Sequence, residues 1–417
     1  MKRQNPHLTI RHILSILLFA ALSCQALAQR STIHHQRIAT LQVVAGTDWL
    51  SMPITRLGGN PINIDFDDLT HDYHRYTYQI IHCDALWQPS EGLNDTDYLQ
   101  GINGEYVIDD VEQSLNTDQL YTHYHLSIPN ANCRLKMSGN YKVIVTDDNT
   151  GEQMLTACFM VVDEKMSVAI GYSSNTDIDT NKSHQQVSLN VGYGGMRITN
   201  PSQQVKTVVL QNGRWDNAVV NAQPDYVSAD GLQWRHNRQL IFDAGNVYRK
   251  FELLDLDHPT MGIDELRWDG TQYHAYLHTD EPRPSYVHDE SAQGSYFIRN
   301  SDNEDVTFTC GYALVHFSLQ TPRQQGAVYI NADWTHDQFT PQYEMQYDDS
   351  TRCYHATLPL KQGYYSYQYL VQQSDGTLRP VATEGNYYQT QNRYDALVYY
   401  RGPGDRCDQL VGWKGVK

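Results

Sequence analysis

Histidines are the residues best able to do chemistry in this sequence, which contains 18 of them among 417 residues. The densest groups are His71-Asp72-Tyr73-His74, His82-Cys83-Asp84 and His123-Tyr124-His125. In a strand, residues 123 and 125 lie on the same face, a geometry that a metal ion could use. The sequence points to no third ligand, and histidines on the polar face of a half-solvated sheet are the favoured interpretation. We therefore predict no metal site.

Glycine-rich and acidic segments form no recognised catalytic motif. Gly192-Tyr193-Gly194-Gly195 lacks the spacing of a dinucleotide-binding loop and a following helix, which favours a bulge or turn. No nucleophile elbow, zinc-protease motif or Walker loop occurs. Clustered carboxylates that could serve a glycosidase are Asp65, Asp67, Asp68, Asp109 and Asp110. A loop or a solvated edge explains these clusters as well, so we predict neither a catalytic centre nor a cofactor.

A tyrosine-rich segment, Gly363-Tyr-Tyr-Ser-Tyr-Gln-Tyr, is a candidate binding surface. In a strand, Tyr365, Tyr367 and Tyr369 lie on one face and Tyr364 on the other. A flat row of tyrosines can stack on sugar rings or press against a partner protein. The favoured alternative is a sandwich strand whose tyrosines seal the edge of the core.

Strands must position these residues, because no segment shows a helical period of three turns or more. Tyrosine, present 30 times against 9 Phe and 7 Trp, favours strands and half-buried positions. The turn at 147–151 predicts a hairpin leading into 154–162, and Asn212-Gly213 and Ser374-Asp375-Gly376 predict two more. Further predicted strands cover 76–81, 122–128, 141–145, 187–191, 205–210, 247–254, 273–277, 312–319, 328–330, 354–358, 364–371 and 397–400.

The composition, 40% hydrophobic and 19% charged, is that of an ordinary globular protein. The length fits two to four domains. We predict an all-β fold of tandem antiparallel, immunoglobulin-like β-sandwiches with little helix. The expected divisions are 1–28 for a leader, 29–165 for a first β-sandwich, 166–295 for a second β-rich domain and 296–417 for a third, immunoglobulin-like domain.

Residues 1–28 have the organisation of a secretory signal peptide. Three basic residues accompany an apolar run at 13–21, and the small residues of Ala26-Leu27-Ala28 predict cleavage before Gln29. The run is too short to span a bilayer, and no other stretch is apolar enough to do so. Leu22-Ser23-Cys24 is a weak lipobox-like alternative that would place a lipid on Cys24. We expect an exported protein without a membrane span, in the periplasm or associated with the outer membrane.

The net charge limits the classes of partner that the protein is expected to bind. Removing the three basic leader residues takes the charge from −17 to −20. An acidic surface argues against nucleic acid or anionic lipid as the main partner. Six cysteines remain after the predicted cleavage: Cys83, Cys133, Cys158, Cys310, Cys353 and Cys407. They could pair in an oxidising compartment, but their connectivity is open, and buried free thiols are an equally fair interpretation for Cys83 and Cys158.

Several strings, in order along the chain, resemble the plug proteins of the bacterial type IX secretion system. They are Asp65-Phe-Asp-Asp-Leu, Ile81-His-Cys-Asp-Ala-Leu-Trp-Gln-Pro-Ser, Tyr121-Thr-His-Tyr, Ser138-Gly-Asn-Tyr, Val208-Val-Leu-Gln-Asn-Gly-Arg-Trp-Asp-Asn, Glu281-Pro-Arg, Val315-His-Phe-Ser-Leu, Leu358-Pro-Leu-Lys-Gln-Gly-Tyr-Tyr-Ser-Tyr-Gln-Tyr and Glu384-Gly-Asn. The resemblance covers residues 38–412, and the string Gln211 to Asn217 is the most specific.

This resemblance implies a function without catalysis. Type IX secretion moves folded cargo through a very wide, single-chain outer-membrane barrel in Bacteroidetes, and such a barrel leaks if it stays open. The plug closes its periplasmic mouth when no cargo is engaged. The translocon barrel is therefore the expected partner, although the resemblance supplies no contact residues.

The third block separately resembles immunoglobulin-like glycogen- or starch-binding modules. Val328-Tyr-Ile-Asn-Ala-Asp-Trp-Thr, followed by Leu360-Lys-Gln-Gly-Tyr-Tyr-Ser-Tyr-Gln-Tyr, is similar to their strand-and-corner pattern. In such modules a tryptophan near the corner stacks on sugar, and Trp334 stands here. An exported carbohydrate-binding protein is therefore the alternative function. The candidate partner or glycan surface consists of Trp334, Tyr365, Tyr367 and Tyr369.

Overall fold

The structure is a computed structural model that describes residues 31–101, 103–104, 106–302 and 305–417. The predicted signal peptide and Cys24 lie outside these residues. Strands dominate, which confirms the predicted all-β class. Within the described part, helical structure is limited to single turns at Asp95–Tyr98, Pro201–Gln204, Arg238–Leu240, Val306–Thr309, Asp333–Thr335 and Ala382–Glu384. None of the described helices is long and apolar enough to cross a bilayer.

A first unit, residues 31–163, contains the strands of two facing sheets and of a separate two-stranded sheet. They are β1 (Thr32–Ile33), β2 (Ile38–Ala45), β3 (Ile54–Arg56), β4 (Ile62–Asp68), β5 (Tyr76–Cys83), β6 (Leu99–Gln100), β7 (Tyr106–Val107), β8 (Asp110–Gln113), β9 (Thr122–Ile128), β10 (Arg134–Leu135), β11 (Gly139–Asp147) and β12 (Gln153–Val162). One of the facing sheets runs β1-β12-β11-β5-β7, with β3 parallel to β12, and the other runs β2-β4-β9-β8, whereas β6 pairs with β10 in the two-stranded sheet. Alternating side chains of both sheets share one buried core, because each sheet turns one apolar face inward.

Strand β12 is buried on both faces, which explains why its sequence from Met154 to Val162 is apolar at every position except Thr156. Leu155, Ala157 and Phe159 belong to the core of the first unit. Cys158 and Met160, on the opposite face, pack with residues of the second unit. A strand covered on both sides favours apolar residues on both faces.

A second unit combines residues 167–243 with 394–416. Its strands are β13 (Ser167–Ser173), β14 (His184–Gly192), β15 (Val205–Gln211), β16 (Arg214–Val220), β17 (Tyr226–Val227), β18 (Gly231–Trp234), β19 (Ile241–Asp243), β30 (Tyr394–Tyr400) and β31 (Gln409–Val416). The first sheet contains β13-β14-β18-β17 with β19, and the second runs β16-β15-β30-β31. The two sheets enclose a common core.

A third unit, residues 249–380, lies between the two parts of the second unit in sequence. Its strands are β20 (Arg249–Leu253), β21 (Ile263–Trp268), β22 (Tyr273–Leu277), β23 (Tyr296–Ile298), β24 (Tyr312–Gln320), β25 (Val328–Asn331), β26 (Glu344–Asp348), β27 (Cys353–Lys361), β28 (Gly363–Gln372) and β29 (Leu378–Pro380). They form one ten-stranded sheet, in which β20, β23, β25 and β29 all pair with β28. Residues from opposite parts of this sheet share one core.

The strand pairing departs from the predicted division between residues 295 and 296. Strand β30 returns to pair with β15, and β31 pairs with β30, whereas β20 to β22 join the sheet that contains β24 and β28. The predicted division assumed that strands close in sequence share a sheet, which is common but not obligatory. The third unit is thus an insertion within the second.

Local turn chemistry matches the sequence expectations. Asn212 and Gly213 have φ angles of 54° and 70°, and they join β15 to β16 in antiparallel pairing. Positive φ at both central residues is the requirement of a type I′ hairpin turn, which Asn-Gly satisfies best. The hairpins between β11 and β12 and between β28 and β29 also form where predicted.

Candidate functional site: the joints between the three units

The predicted binding surface is wrong, because its four aromatic residues are buried. Trp334, Tyr365, Tyr367 and Tyr369 all belong to the core of the third unit. The three tyrosines do share one face of β28, as predicted. Phe317 of β24 packs across that face, with ring centroids 5.3 Å from Tyr367 and 6.2 Å from Trp334. The rings therefore seal a core and offer no platform to a sugar or a partner.

A buried ion cluster completes this core. The hydroxyls of Tyr367 and Tyr369 donate to Asp280 Oδ2 over 2.9 and 2.6 Å. Arg249 binds the same Asp280 at 2.6 Å and Glu384 at 2.7 Å. Arg249 also donates to the carbonyl of Glu281 at 2.7 Å. The strings Glu281-Pro-Arg and Glu384-Gly-Asn, about 100 residues apart in sequence, therefore meet around Arg249, whose charge is paired with Asp280 and Glu384.

The histidine groups do not assemble a metal centre in the described residues, where no group of three or more ligand side chains occurs. His82 is held by Ser90 Oγ at 2.9 Å and the Ser138 carbonyl at 3.2 Å. His123 and His125 share a strand face, as predicted, but both contact aspartates of the neighbouring β4. The two histidines lie at the interface between the first and third units. Such an interface between two units is called a joint here.

That joint centres on Asp67 of the first unit. On one side Asp67 lies opposite His123 in the pairing of β4 with β9, and its Oδ1 is 2.7 Å from His123 Nδ1. Its Oδ2 accepts from Lys361 Nζ at 2.7 Å and from the Tyr312 hydroxyl at 2.6 Å, both from the third unit. Lys361 and Tyr312 are themselves opposite each other in the pairing of β24 with β27. Two cross-strand pairs from two sheets therefore meet at one carboxylate.

The electrostatics of the joint hold its groups in charged form. Burial alone would raise the pKa of Asp65, but His123 and His125 outweigh it and lower that pKa to about 2. The pKa of Asp67 is also lowered, because Lys361 and His123 outweigh its burial. Burial would lower the pKa of His123, yet Asp65 and Asp67 raise it to about 9. The carboxylates of Asp65 and Asp67 thus face the ammonium of Lys361, the imidazolium of His123 and the ring of His125, whose pKa is raised by its hydrogen bond to Asp65.

Lys361 is fixed by further contacts. Its ammonium nitrogen donates to the carbonyl of Thr307 at 2.8 Å and lies 4.0 Å from the ring centre of Tyr121. The Tyr121 hydroxyl donates to the carbonyl of Cys310 at 2.9 Å. First-unit and third-unit groups therefore alternate around the lysine, which makes the joint specific in position as well as in charge.

The first and second units meet through aromatic packing. Trp87 and Trp215 are buried edge to face, with ring centroids 5.5 Å apart and an interplanar angle of 88°. Beside them, Asp408 binds Lys206 at 2.8 Å and accepts from the backbone of Ala85 at 3.0 Å. Trp87 and Trp215 come from two strings that carry the family resemblance, so these strings meet at the joint.

The second and third units are linked beside Trp215. Its backbone N–H donates to Asp337 Oδ2 at 3.1 Å, and Asn331 donates to Asp337 Oδ1 at 2.9 Å. Burial and the neighbouring Asp216 raise the pKa of Asp337 to about 6. A cavity of about 110 Å³, with Trp49 and Asp337 in its wall, lies where all three units meet. The three units therefore contact one another pairwise.

The sequence patterns did not predict that Asp67, Lys361, Trp87 and Trp215 lie at the joints. Asp67 and Lys361 lie within strings quoted for the family resemblance, and this membership was the available signal. What no string could reveal was that residues 294 positions apart meet.

The comparisons with known proteins agree with this architecture. The family model described as the first domain of the type 9 secretion system plug protein matches residues 38–163, which is nearly the whole first unit. No curated protein matches the chain. A crystal structure of a hypothetical protein from Parabacteroides merdae is 38% identical, with a TM-score of 0.90, and the match covers 93% of this chain and 98% of that one.

A second solved structure, the C-terminal domain of the antigen I/II-family protein AspA from Streptococcus pyogenes, is 8% identical, and the match covers 91% of this chain and 99% of that one. Its TM-score of 0.17 carries no argument about the fold. The family model, by contrast, matches the unit whose Asp67 and Trp87 build two of the joints. Residues 38–163, and with them the first unit, belong to the type 9 secretion system plug protein family.

Proposed function

We propose that this chain is a non-enzymatic periplasmic plug that closes the outer-membrane translocon of the type IX secretion system when no cargo is engaged. Membership of the plug protein family is the observation that carries the proposal. A barrel wide enough for folded cargo needs a stopper, because an open pore of that width would leak.

The joints support this role physically. A stopper must keep its shape while one side is exposed to the pore, so its parts should not hinge freely. Interfaces between domains of one chain are often polar and allow relative motion. Here, paired buried charges at Asp67 and buried aromatic packing at Trp87 oppose such motion.

A role without catalysis is part of the same proposal. The buried carboxylates at 67, 280 and 384 each contact a cation within 2.7 Å, which occupies the groups that an active site would need free. The aromatic residues that would serve sugar binding lie in the core. These features favour a binding role over an enzymatic one.

The test is capture of partners from cells. The full chain with a C-terminal tag is cross-linked in intact cells, purified from detergent-solubilised envelopes, and its partners are identified by mass spectrometry. We expect a very large outer-membrane barrel protein to be retained. The control is the same tagged chain starting at residue 29, which should stay in the cytoplasm and retain no barrel. Recovery of the exported chain without any barrel would contradict the proposal.

A further inference from the structure

Three exposed apolar side chains lie together at one end of the first unit. Tyr73, Leu115 and Leu120 are 59%, 55% and 45% exposed. They lie on two loops, before β5 and between β8 and β9, which are joined by hydrogen bonds. The Gln113 amide donates to the carbonyl of His71 at 2.7 Å, and the Gln119 amide donates to that of Leu69 at 3.4 Å. The three side chains therefore project from one connected segment of surface.

This surface continues onto the third unit. The backbone N–H of Leu115 donates to the carbonyl of Phe308 at 2.8 Å. In that unit the Tyr273 hydroxyl donates to Asp257 Oδ1 at 3.5 Å, and burial raises the pKa of Tyr273, with the carboxylates of Asp257 and Asp118 adding to that rise. Tyr273 in turn packs against Trp268, which is 47% exposed, with ring centroids 4.8 Å apart.

Four exposed carboxylates lie on or beside the segments that carry these residues. The exposed carboxylates of Asp72, Glu112, Asp118 and Asp257 make no ion pair with any described residue. The segment 109–121 contains no Lys or Arg. Tyr73, Leu115, Leu120 and Trp268, together with these carboxylates, form what is called here the acidic apolar surface. Contiguous apolar exposure rimmed by charge is typical of a protein-binding site.

We propose that the acidic apolar surface is where this chain docks on the translocon barrel, against an apolar patch flanked by Lys or Arg side chains. The inference rests on the proposed function and names its contact face. Charge complementarity selects this partner. A second copy of the chain would bring carboxylates against carboxylates, and an anionic membrane surface would repel them.

Site-specific photo-cross-linking tests the contact in cells. A photoreactive residue replaces Leu115 in the full chain, and the matched control replaces Val227, which is 61% exposed on β17 of the second unit. We expect an adduct with the barrel from position 115 and none from position 227. A barrel adduct from position 227 alone would overturn the surface but keep the plug. An adduct from 115 with a different identified protein, with glycan or with a second copy would overturn the named partner. No adduct at position 115 from a chain that still captures the barrel would overturn the surface, whereas failure of the capture itself would contradict the plug.

Substitutions test the chemistry of the contact. Leu115→Asn with Trp268→Ser should weaken binding to the purified barrel at least about tenfold, because central apolar anchors dominate interfaces. Asp118→Asn with Glu112→Gln should slow association and reduce its dependence on salt. The control, Tyr226→Ser with Val227→Asn, should bind like the parent chain. Thermal unfolding identifies any variant that has lost its fold, and equal binding by all folded variants would overturn the inference.

Discussion

Lys361, the last residue of β27, places its ammonium nitrogen 2.7 Å from Asp67 Oδ2, and each of the two side chains is 1% exposed. The residues come from different units and lie 294 positions apart in sequence. Burying two such charges is costly unless they are paired and hydrogen-bonded, and here Tyr312 and His123 complete the carboxylate's shell. The contact makes the position of the third unit depend on the first.

Removing the cation should destabilise the protein strongly. Lys361→Met removes one of the two cations that pair with Asp67 and leaves its buried Oδ2 with the Tyr312 hydroxyl alone, and breaking a buried pair in this way costs ~3–5 kcal/mol of unfolding free energy. Urea unfolding followed by circular dichroism measures the change. The matched control is Arg56→Met, which removes an exposed ion pair with Glu164 and should change stability by less than ~0.5 kcal/mol. Equal effects of the two substitutions would contradict the importance of the joint.

The same joint predicts a pH dependence. His123 has its pKa raised from 6.5 to about 9 in the folded protein, so its stabilisation is complete below pH 6.5 and disappears as the pH rises through about 9. Asp65, with its pKa lowered from 3.8 to about 2, contributes above pH 3.8 and loses this contribution toward pH 2. Lys361 and Tyr312 also face this site. The pKa of Tyr312 is raised by burial and by Asp67, so its hydroxyl stays neutral over this range.

The measurement is urea unfolding of the parent chain and His123→Asn between pH 5 and about pH 9.5. The stability difference between them should be largest near pH 6 and should shrink steadily above pH 6.5. Taking the difference cancels groups that titrate elsewhere in the chain. A difference that stays constant with pH would show that the pKa of His123 is the same in the folded and the unfolded chain, which would contradict its pairing with Asp65 and Asp67.

Trp87 should couple the first unit to the second. Trp87→Ala removes a buried indole from the joint and should cost ~3–5 kcal/mol. A double-mutant cycle with Trp215→Ala should give a coupling energy of ~0.5–1.5 kcal/mol for the edge-to-face pair. Trp268→Ala, at an exposed tryptophan, serves as the control and should have little effect on stability. Additive effects of the two joint substitutions would contradict direct coupling.

The cysteines should be unreactive thiols. All six described cysteines are buried, and burial raises the pKa of Cys83 to about 11 and of Cys310 to about 12. Since the thiolate is the reactive form, iodoacetamide at pH 8 should label the folded protein very slowly. In urea without reductant all six should be labelled, as mass spectrometry would show. Incomplete labelling in urea would reveal a disulfide in the isolated protein.

Sequence patterns predicted local structure well, because alternation and turn chemistry act over a few residues. The strand at 141–145 and the Asn212-Gly213 hairpin both form as expected. The pairing of β15 with β30, nearly 190 residues away, carries no local signal, since the apolar faces of many strands are interchangeable.

The aromatic strip shows a different limit of prediction. The alternating pattern correctly predicted that Tyr365 and Tyr369 lie on one face of the strand. The same pattern occurs whether that face is exposed to solvent or packed against a second layer of the fold. Phe317, about 50 residues earlier, decides the matter by covering the strip. The charge on Asp67 was likewise visible in the sequence, whereas its partner Lys361 was not.

The central claim is that the chain closes a pore, and conductance through the translocon tests it most directly. The barrel, purified without this chain, is inserted in a planar bilayer, and the chain from residue 29 is added to the periplasmic side. We predict that the large conductance falls to baseline and returns when the chain is washed away, while Leu115→Asn with Trp268→Ser closes the pore only at higher concentration. An open-pore conductance that is unchanged at saturating concentrations of the folded parent chain would contradict the account.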